Sequence, residues 1–487
     1  MDQRSKAIVS TTLAAAALLG LLIAFLCIFL DVGVPPAQTV LPPLPDSLPT
    51  PPGSLPPLPT PPGSLPTPDG ASAITAAIVL SILNNPNING VVNEGPLTTY
   101  DLTPCETGEL PSCFFQNPAT PYSRPKWRLE LAADLPAYLD VIPMLPQDVV
   151  VLTGLTPYDC VYWSFAPYLF NSPGVCSGTV VAASLADTIS NITTGWAPST
   201  PFTVLMGMNS GCIAEVKAAL PGNQAQVATL QFPYMGPQSL YWFLGRTALF
   251  TSQADSEAYV VDTRISATMV RTKAETLDPA LTQTEFVFKP RNLEIDEALV
   301  VPQADFDLGA ETYLQTLLDT LPGGYTAEEV PVFVVPPGVD GYDNGATCID
   351  QCANCQVDNR DTIYFGCNID DLTPGQYLAV YALNHGAYGK AIYSSLSVYE
   401  VNGQFGLDSV EVLPSGPDTY QVLVTQTTNA PTAVPAGTEV ITVKDIVGNV
   451  GLAERMYVQP TDPSNPSFGV SADFSTVLPM KVWLLLP

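Results

Sequence analysis

The sequence predicts an α+β chain that is mainly β, and three observations carry that reading. Strand-length runs such as Val149–Thr153 and Val161–Phe170 are rich in β-branched and aromatic residues, with a Thr156-Pro157 turn between them. Helical periodicity is confined to a few segments. The clearest is Ala310–Leu321, with Leu314, Leu317, Leu318 and Leu321 on one face and Pro322-Gly323-Gly324 as its stop. Strand, helix and strand follow one another at Pro201–Met208, Gly211–Leu220 and Val227–Phe232, and such short connections imply a parallel crossover. The expected order is an anchor over residues 1–33, a proline spacer over 34–70, an α+β lobe over 71–275 and a β-sandwich lobe over 276–487.

The anchor is Ala7–Leu30, an apolar run with no charge and no proline. As a helix it would extend about 36 Å, enough to cross a hydrocarbon core of about 30 Å. Arg4 and Lys6 precede it and Asp31 follows, which orients the short N-terminus to the cytosol and sends the rest outward as a type II signal-anchor protein. A cleaved signal peptide is the competing reading, but the run is longer than an h-region and no small-x-small site follows it. Val34–Pro68 is proline-dense, and Leu48–Pro56 recurs residue for residue as Leu58–Pro66. Polyproline II is its default, a spacer reaching on the order of 100 Å from the bilayer.

Further elements follow in order. Ser72–Leu83 reads as a helix capped by Ser72 and stopped at Asn84-Asn85-Pro86. Val161–Phe170 is aromatic on both faces, as a strand between two layers or a carbohydrate-stacking platform would be. Thr179–Ser184 and Thr268–Lys273 are strands, and Tyr241–Val261 is a further helical segment. Ser395–Val401 and Gln404–Leu413 form a hairpin about Asn402-Gly403, and Lys481–Leu486 is a docked strand. The run Leu372-Thr373-Pro374-Gly375, then Tyr377, Val380, Ala382 and Asn384, resembles the last two strands of immunoglobulin and fibronectin type III sandwiches, where a turn precedes a tyrosine corner. That resemblance implies a β-sandwich and no activity.

The formal charge is −29. Setting aside Asp2 and Asp31, and Arg4 and Lys6, leaves 44 of 46 acids against 15 of 17 bases beyond the anchor. Such a field repels nucleic acid and suits cations or a basic partner. Ten cysteines are present, and the nine outside the anchor would face an oxidising compartment. Cys105 and Cys113 bracket one loop, Cys160 and Cys176 are further disulfide candidates, and Cys348, Cys352, Cys355 and Cys367 form the densest cluster. Disulfides are the expected state of that cluster, with a four-thiolate zinc site as the alternative. Cys212, in the first turn of a helix, is the expected unpaired thiol, with a lowered pKa.

Other sites are compositional. Asp340, Asp343, Asp358 and Asp361 crowd the cysteine cluster and offer oxygen ligands for Ca²⁺. Asn191-Ile192-Thr193 is a glycosylation sequon. Arg124, Lys126 and Arg128 share one strand face, suiting an anionic glycan or carboxylate ligand unless acids of the same lobe pair with them. The chain has one histidine, His385, so a Ser-His-Asp hydrolase would need it, with Ser210 and Asp371 in the available order. The G-x-S-x-G elbow is missing around Ser210, where a helix N-cap is the simpler role. The expectation is therefore a membrane-anchored surface or envelope ectodomain with a structural or adhesion-like role toward a protein or glycan. A secretory-pathway hydrolase using His385 or a carboxylate pair is the alternative. His385→Ala is expected to cost no more than about 1–2 kcal/mol.

Overall fold

In the computed structural model, the central β-strands are buried on both faces along nearly their whole length, and they build two sandwiches in tandem. The structure describes residues 69–100, 121–129, 137–273, 297–334, 344–355, 362–370, 372–401, 405–412, 415–426, 431, 433–443, 449–458 and 476–487, apart from 178, 223 and 225. The anchor and spacer lie outside these residues. Among the described residues no helix is long and apolar enough to cross a membrane.

The first lobe has nine principal strands: β1 (Ile88–Thr99), β2 (Tyr122–Pro125), β3 (Asp148–Leu155), β4 (Cys160–Asn171), β5 (Val180–Ser184), β6 (Pro201–Gly207), β7 (Val227–Gln231), β8 (Leu240–Phe250) and β9 (Ile265–Thr272). One sheet runs β7-β6-β3-β9-β1 and the other β2-β8-β4-β5, with the bulged β1 continuing from the first into the second by pairing with β2. Phe165, Phe202, Met206 and Phe243 fill the space between them. On the outer face of the first sheet Val149, Val151, Leu205 and Val270 receive helices α1 (Asp69–Leu83) and α2 (Ser210–Ala218) through Ile78, Ile82, Ile213 and Val216.

The second lobe repeats this plan. Its strands are β10 (Thr326–Glu329), β11 (Thr362–Ile369), β12 (Tyr377–Leu383), β13 (Ala391–Glu400), β14 (Phe405–Val412), β15 (Thr419–Gln426), β16 (Thr438–Val443), β17 (Val450–Val458) and β18 (Lys481–Leu486). The sheets run β16-β15-β12-β18-β10 and β11-β17-β13-β14. Leu378, Val380, Leu396, Val422 and Val482 lie between them. Helix α4 (Gln303–Thr320), after α3 (Gln253–Val261), covers the outer face of the first of these sheets through Phe306, Tyr313 and Leu317. Gly309 is needed there, because a Cβ would come within 2.4 Å of the Tyr381 hydroxyl.

Each strand of the second lobe matches the strand nine places earlier. Leaving out the added parallel strands β7 and β16, both lobes read 1-8-3-6 over 2-7-4-5, which is the connectivity of a jelly roll. The second lobe is thus a sandwich, but not with immunoglobulin connectivity. The first lobe is a sandwich as well, its helices lying outside the sheets. The parallel crossover through α2 is present. Tyr241–Val261 splits instead into a strand and α3, because Tyr241, Phe243 and Trp242 are buried on alternate faces. α1 begins at Asp69, so Ser72 sits inside its first turn.

Candidate functional site

The two lobes meet through the same face, the outer surface of the 2-7-4-5 sheet in each. On β8, Arg246 stands opposite Ser164 of β4 and Tyr122 of β2. On β17, Arg455 stands opposite Ser395 of β13 and Tyr364 of β11. The correspondence extends along the strands: Tyr162 matches Tyr393, and Tyr168 matches Tyr399. Arg246 donates to the Tyr168 hydroxyl and Arg455 to Ser397 Oγ at 3.0 Å. The Arg455 guanidinium also lies 5.1 Å from the Tyr399 ring centre and 5.6 Å from that of Tyr364. Across the seam the rings of Tyr162 and Tyr457 are 4.5 Å apart.

Both arginines are almost wholly buried, Arg246 at 1% and Arg455 at 3% exposure. Burial opposes their charge, but a guanidinium does not give up its proton in a protein. Tyr122, Tyr364 and Tyr457 are within electrostatic range of both. Burial raises the pKa values of Tyr364, Tyr399 and Tyr457, so these phenols are neutral. The signal for this face was in the sequence, as Tyr-x-Ser-x-x-x-Tyr at 162–168 and again at 393–399, with an arginine eighty-four and sixty-two residues beyond the respective first tyrosines. A repeat search at that spacing would have found it.

A covalent staple crosses the same boundary. Helix α5 (Asn344–Gln351), in the chain between β10 and β11, docks on the edge of the first lobe. Cys352 is bonded to Cys176, and Cys348 to Cys355, whose N–H donates to Val181 O at 2.7 Å. Cys160, Cys212 and Cys367 are free and buried, so Cys160 and Cys367, each a disulfide candidate in the sequence, form no bridge. Cys105 and Cys113 lie outside the described residues. Burial pushes Cys160 and Cys367 up to about 12 and raises Cys212 as well, despite the hydrogen bond from Thr272. The helix N-terminus thus fails to lower the Cys212 thiol. All three should resist alkylation at pH 8 in the folded protein and react on denaturation, as mass spectrometry of iodoacetamide-treated samples would show.

His385 is sealed inside the second lobe. Its Nδ1 lies 2.7 Å from Glu297 and its Nε2 3.1 Å from Glu454, all three at 0% side-chain exposure. Glu454 Oε1 also accepts from the Tyr420 hydroxyl at 2.6 Å, and the Leu478 and Met480 N–H groups donate to Glu297 and Glu454. Burial alone would lower the histidine pKa; the two carboxylates outweigh it and raise it to about 10. His385 is therefore an imidazolium at neutral pH, with both nitrogens engaged.

Ser210 begins α2 behind its N-cap Asn209, whose side chain accepts from Cys212 N, and Asp371 lies outside the described residues. Ser210 and His385 belong to different lobes, so no serine–histidine pair is assembled. Arg124 and Lys126 both meet Asp140 at 2.8 Å, and Arg124 stacks 3.3 Å from the Tyr100 ring centre. Exposed Arg128 lines a groove of about 660 Å³ beside α1, with Leu80, Leu83 and Pro96. Asn191 opens a single helical turn, accepting from Trp163 N and donating to Val161 O. Asp340, Asp343, Asp358 and Asp361 lie outside the described residues. Among those described, no group of three His, Cys, Asp or Glu side chains is placed to hold a metal.

No protein-family model matches the chain, and no curated protein matches it. Among solved structures it is similar to an uncharacterized protein from Burkholderia cenocepacia, at 12% identity and a TM-score of 0.37, covering 85% of this chain and 88% of that one. The VPA0106 protein from Vibrio parahaemolyticus is similar at 10% identity and 0.33, covering 85% and 98%. Likenesses of this size carry no argument about activity.

Proposed function

We propose that this chain is a membrane-anchored surface or envelope component whose tandem jelly rolls serve a structural or partner-binding role toward a protein or glycan. The observation that supports this reading best is the use of its polar side chains. The histidine, its carboxylates and the two seam arginines are all buried and engaged in holding strands or lobes together. A disulfide that ties one lobe to the other suits a module that keeps its form in an oxidising compartment. Ala7–Leu30 would hold it on the membrane and the proline spacer would lift it away.

The test uses the full chain in nanodiscs, screened on glycan and protein arrays beside a broad hydrolase panel. Specific binding that persists in His385→Gln, with no turnover by either form, is the expected result. A hydrolase activity lost in a folded His385→Gln variant would favour the alternative, a secretory-pathway hydrolase. Protease added to intact cells should also release residues beyond the spacer and leave a short membrane-bound stub.

A further inference from the structure

Helix α1 is apolar on every side. After Asp69 it carries no charged residue as far as Leu83, only glycine, alanine, serine, threonine and branched aliphatic side chains. Ile74, Ile78 and Ile82 recur every four residues and face the first sheet of the lobe, where Ile78 and Ile82 are buried. Ala73, Ala76, Ala77, Leu80 and Leu83 fall on the opposite side and are exposed, Leu80 at 62% and Leu83 at 42%. A single exposed leucine is ordinary on a protein surface, but a helix without a polar face is one that is covered on both sides. The groove of about 660 Å³ runs beside this face, between α1 and strands β1 and β9. Small residues of the strands, Gly95, Ser266 and Ala267, line it opposite the leucines.

Charge decides what covers the face. The chain carries −29, so two copies repel across most of their surface. This patch is different: the charged residues lining the groove are Glu94 and Arg128, one of each sign and both exposed. A basic partner, which the rest of the surface suits, gains nothing from a patch of zero net charge. A second copy does. The same surface offers an acid and a base, a leucine ridge and a groove of small side chains, and a two-fold axis sets each against its complement. We propose that this face joins two copies of the chain in a symmetric dimer. Leu80 and Leu83 of each α1 enter the groove of the other copy, and Glu94 of each meets Arg128 of the other. Ala73, Ala76 and Ala77 let the two helices approach closely, since the side chains at the contact set the distance between helix axes.

Sedimentation of the full-length protein in detergent tests this. The wild type should be dimeric at micromolar concentration. Leu80→Glu places a carboxylate in the apolar contact and should leave monomer at the same concentration. Its urea unfolding should match that of the monomeric wild type, because residue 80 is exposed. Arg128→Glu and Glu94→Arg each bring like charges together twice, and each should weaken the dimer at least about tenfold. Mixed in equal amounts, these two charge variants should associate again, since each then supplies the sign the other lacks. That recovery requires Glu94 and Arg128 to face each other across two copies, which separates this contact from association through Ala7–Leu30 and from cover by another segment of the same chain. A monomeric wild type, a dimer indifferent to Leu80→Glu, or no recovery on mixing would overturn the proposal.

Discussion

His385→Ala is expected to destabilise the protein by about 3–5 kcal/mol, because it leaves two carboxylates buried with their cationic partner gone. Glu297 and Glu454 are held at 2.7 and 3.1 Å from the ring in a site without solvent. Their remaining donors, Tyr420 and the Leu478 and Met480 amides, carry no charge to replace the imidazolium. This exceeds the cost of about 1–2 kcal/mol expected from the sequence for a histidine at a strand end or in a connecting loop. The difference is burial, which the surrounding Asn384, Gly386 and Gly389 concealed in the sequence. Urea unfolding of wild type and variant at pH 7 measures it, and a loss below about 1 kcal/mol would refute the buried-charge account.

The same site predicts the direction of a pH effect. The folded pKa of about 10 lies above the unfolded value near 6.5, so the folded state holds the proton more tightly. The stabilisation is complete below about pH 6.5 and declines by up to about 1.4 kcal/mol per pH unit above it. It is gone once pH passes about 10. His385→Gln should therefore flatten the alkaline fall in stability relative to wild type.

Strand content was legible in the sequence wherever one side of a strand meets the core and the other meets a covering layer. β3, β4, β6, β12 and β18 all carry that texture, and all form. The α2 crossover was legible because β6, α2 and β7 are local in the chain. Pairings between distant strands were not. β1 with β9, or β12 with β18, join residues far apart in sequence, and nothing in either strand names its partner. Jelly-roll connectivity rests on those pairings. The seam was missed for a related reason: Arg246 and Arg455 look like ordinary surface bases until the two faces meet. Arg124 and Lys126 had the opposite fate, since their clustering drew notice and Asp140 accounts for both. The cysteine cluster gave disulfides without their partners, because Cys176 is remote from it.

That remoteness makes the staple the other large effect. Cys176 and Cys352 are 176 residues apart, whereas Cys348 and Cys355 are separated by 7. In the chain-entropy account a cross-link restricts the unfolded chain more as its loop grows. The long loop is worth about 5 kcal/mol and the short one about 2.5 kcal/mol, and measured values commonly fall below such figures. Cys176→Ser/Cys352→Ser should therefore cost roughly twice what Cys348→Ser/Cys355→Ser costs in guanidinium unfolding under oxidising conditions. The first variant should still fold, because the seam and both sandwich cores are intact, and its lobes should separate at lower denaturant than those of the wild type. Tryptophan fluorescence follows the first lobe through Trp127, Trp163, Trp196 and Trp242, and the second through Trp483. Equal losses in the two variants would show that the crossing bond does not constrain the unfolded chain as its span requires. No loss from removing Cys176–Cys352 would mean that the lobes are held by the arginine–tyrosine seam alone.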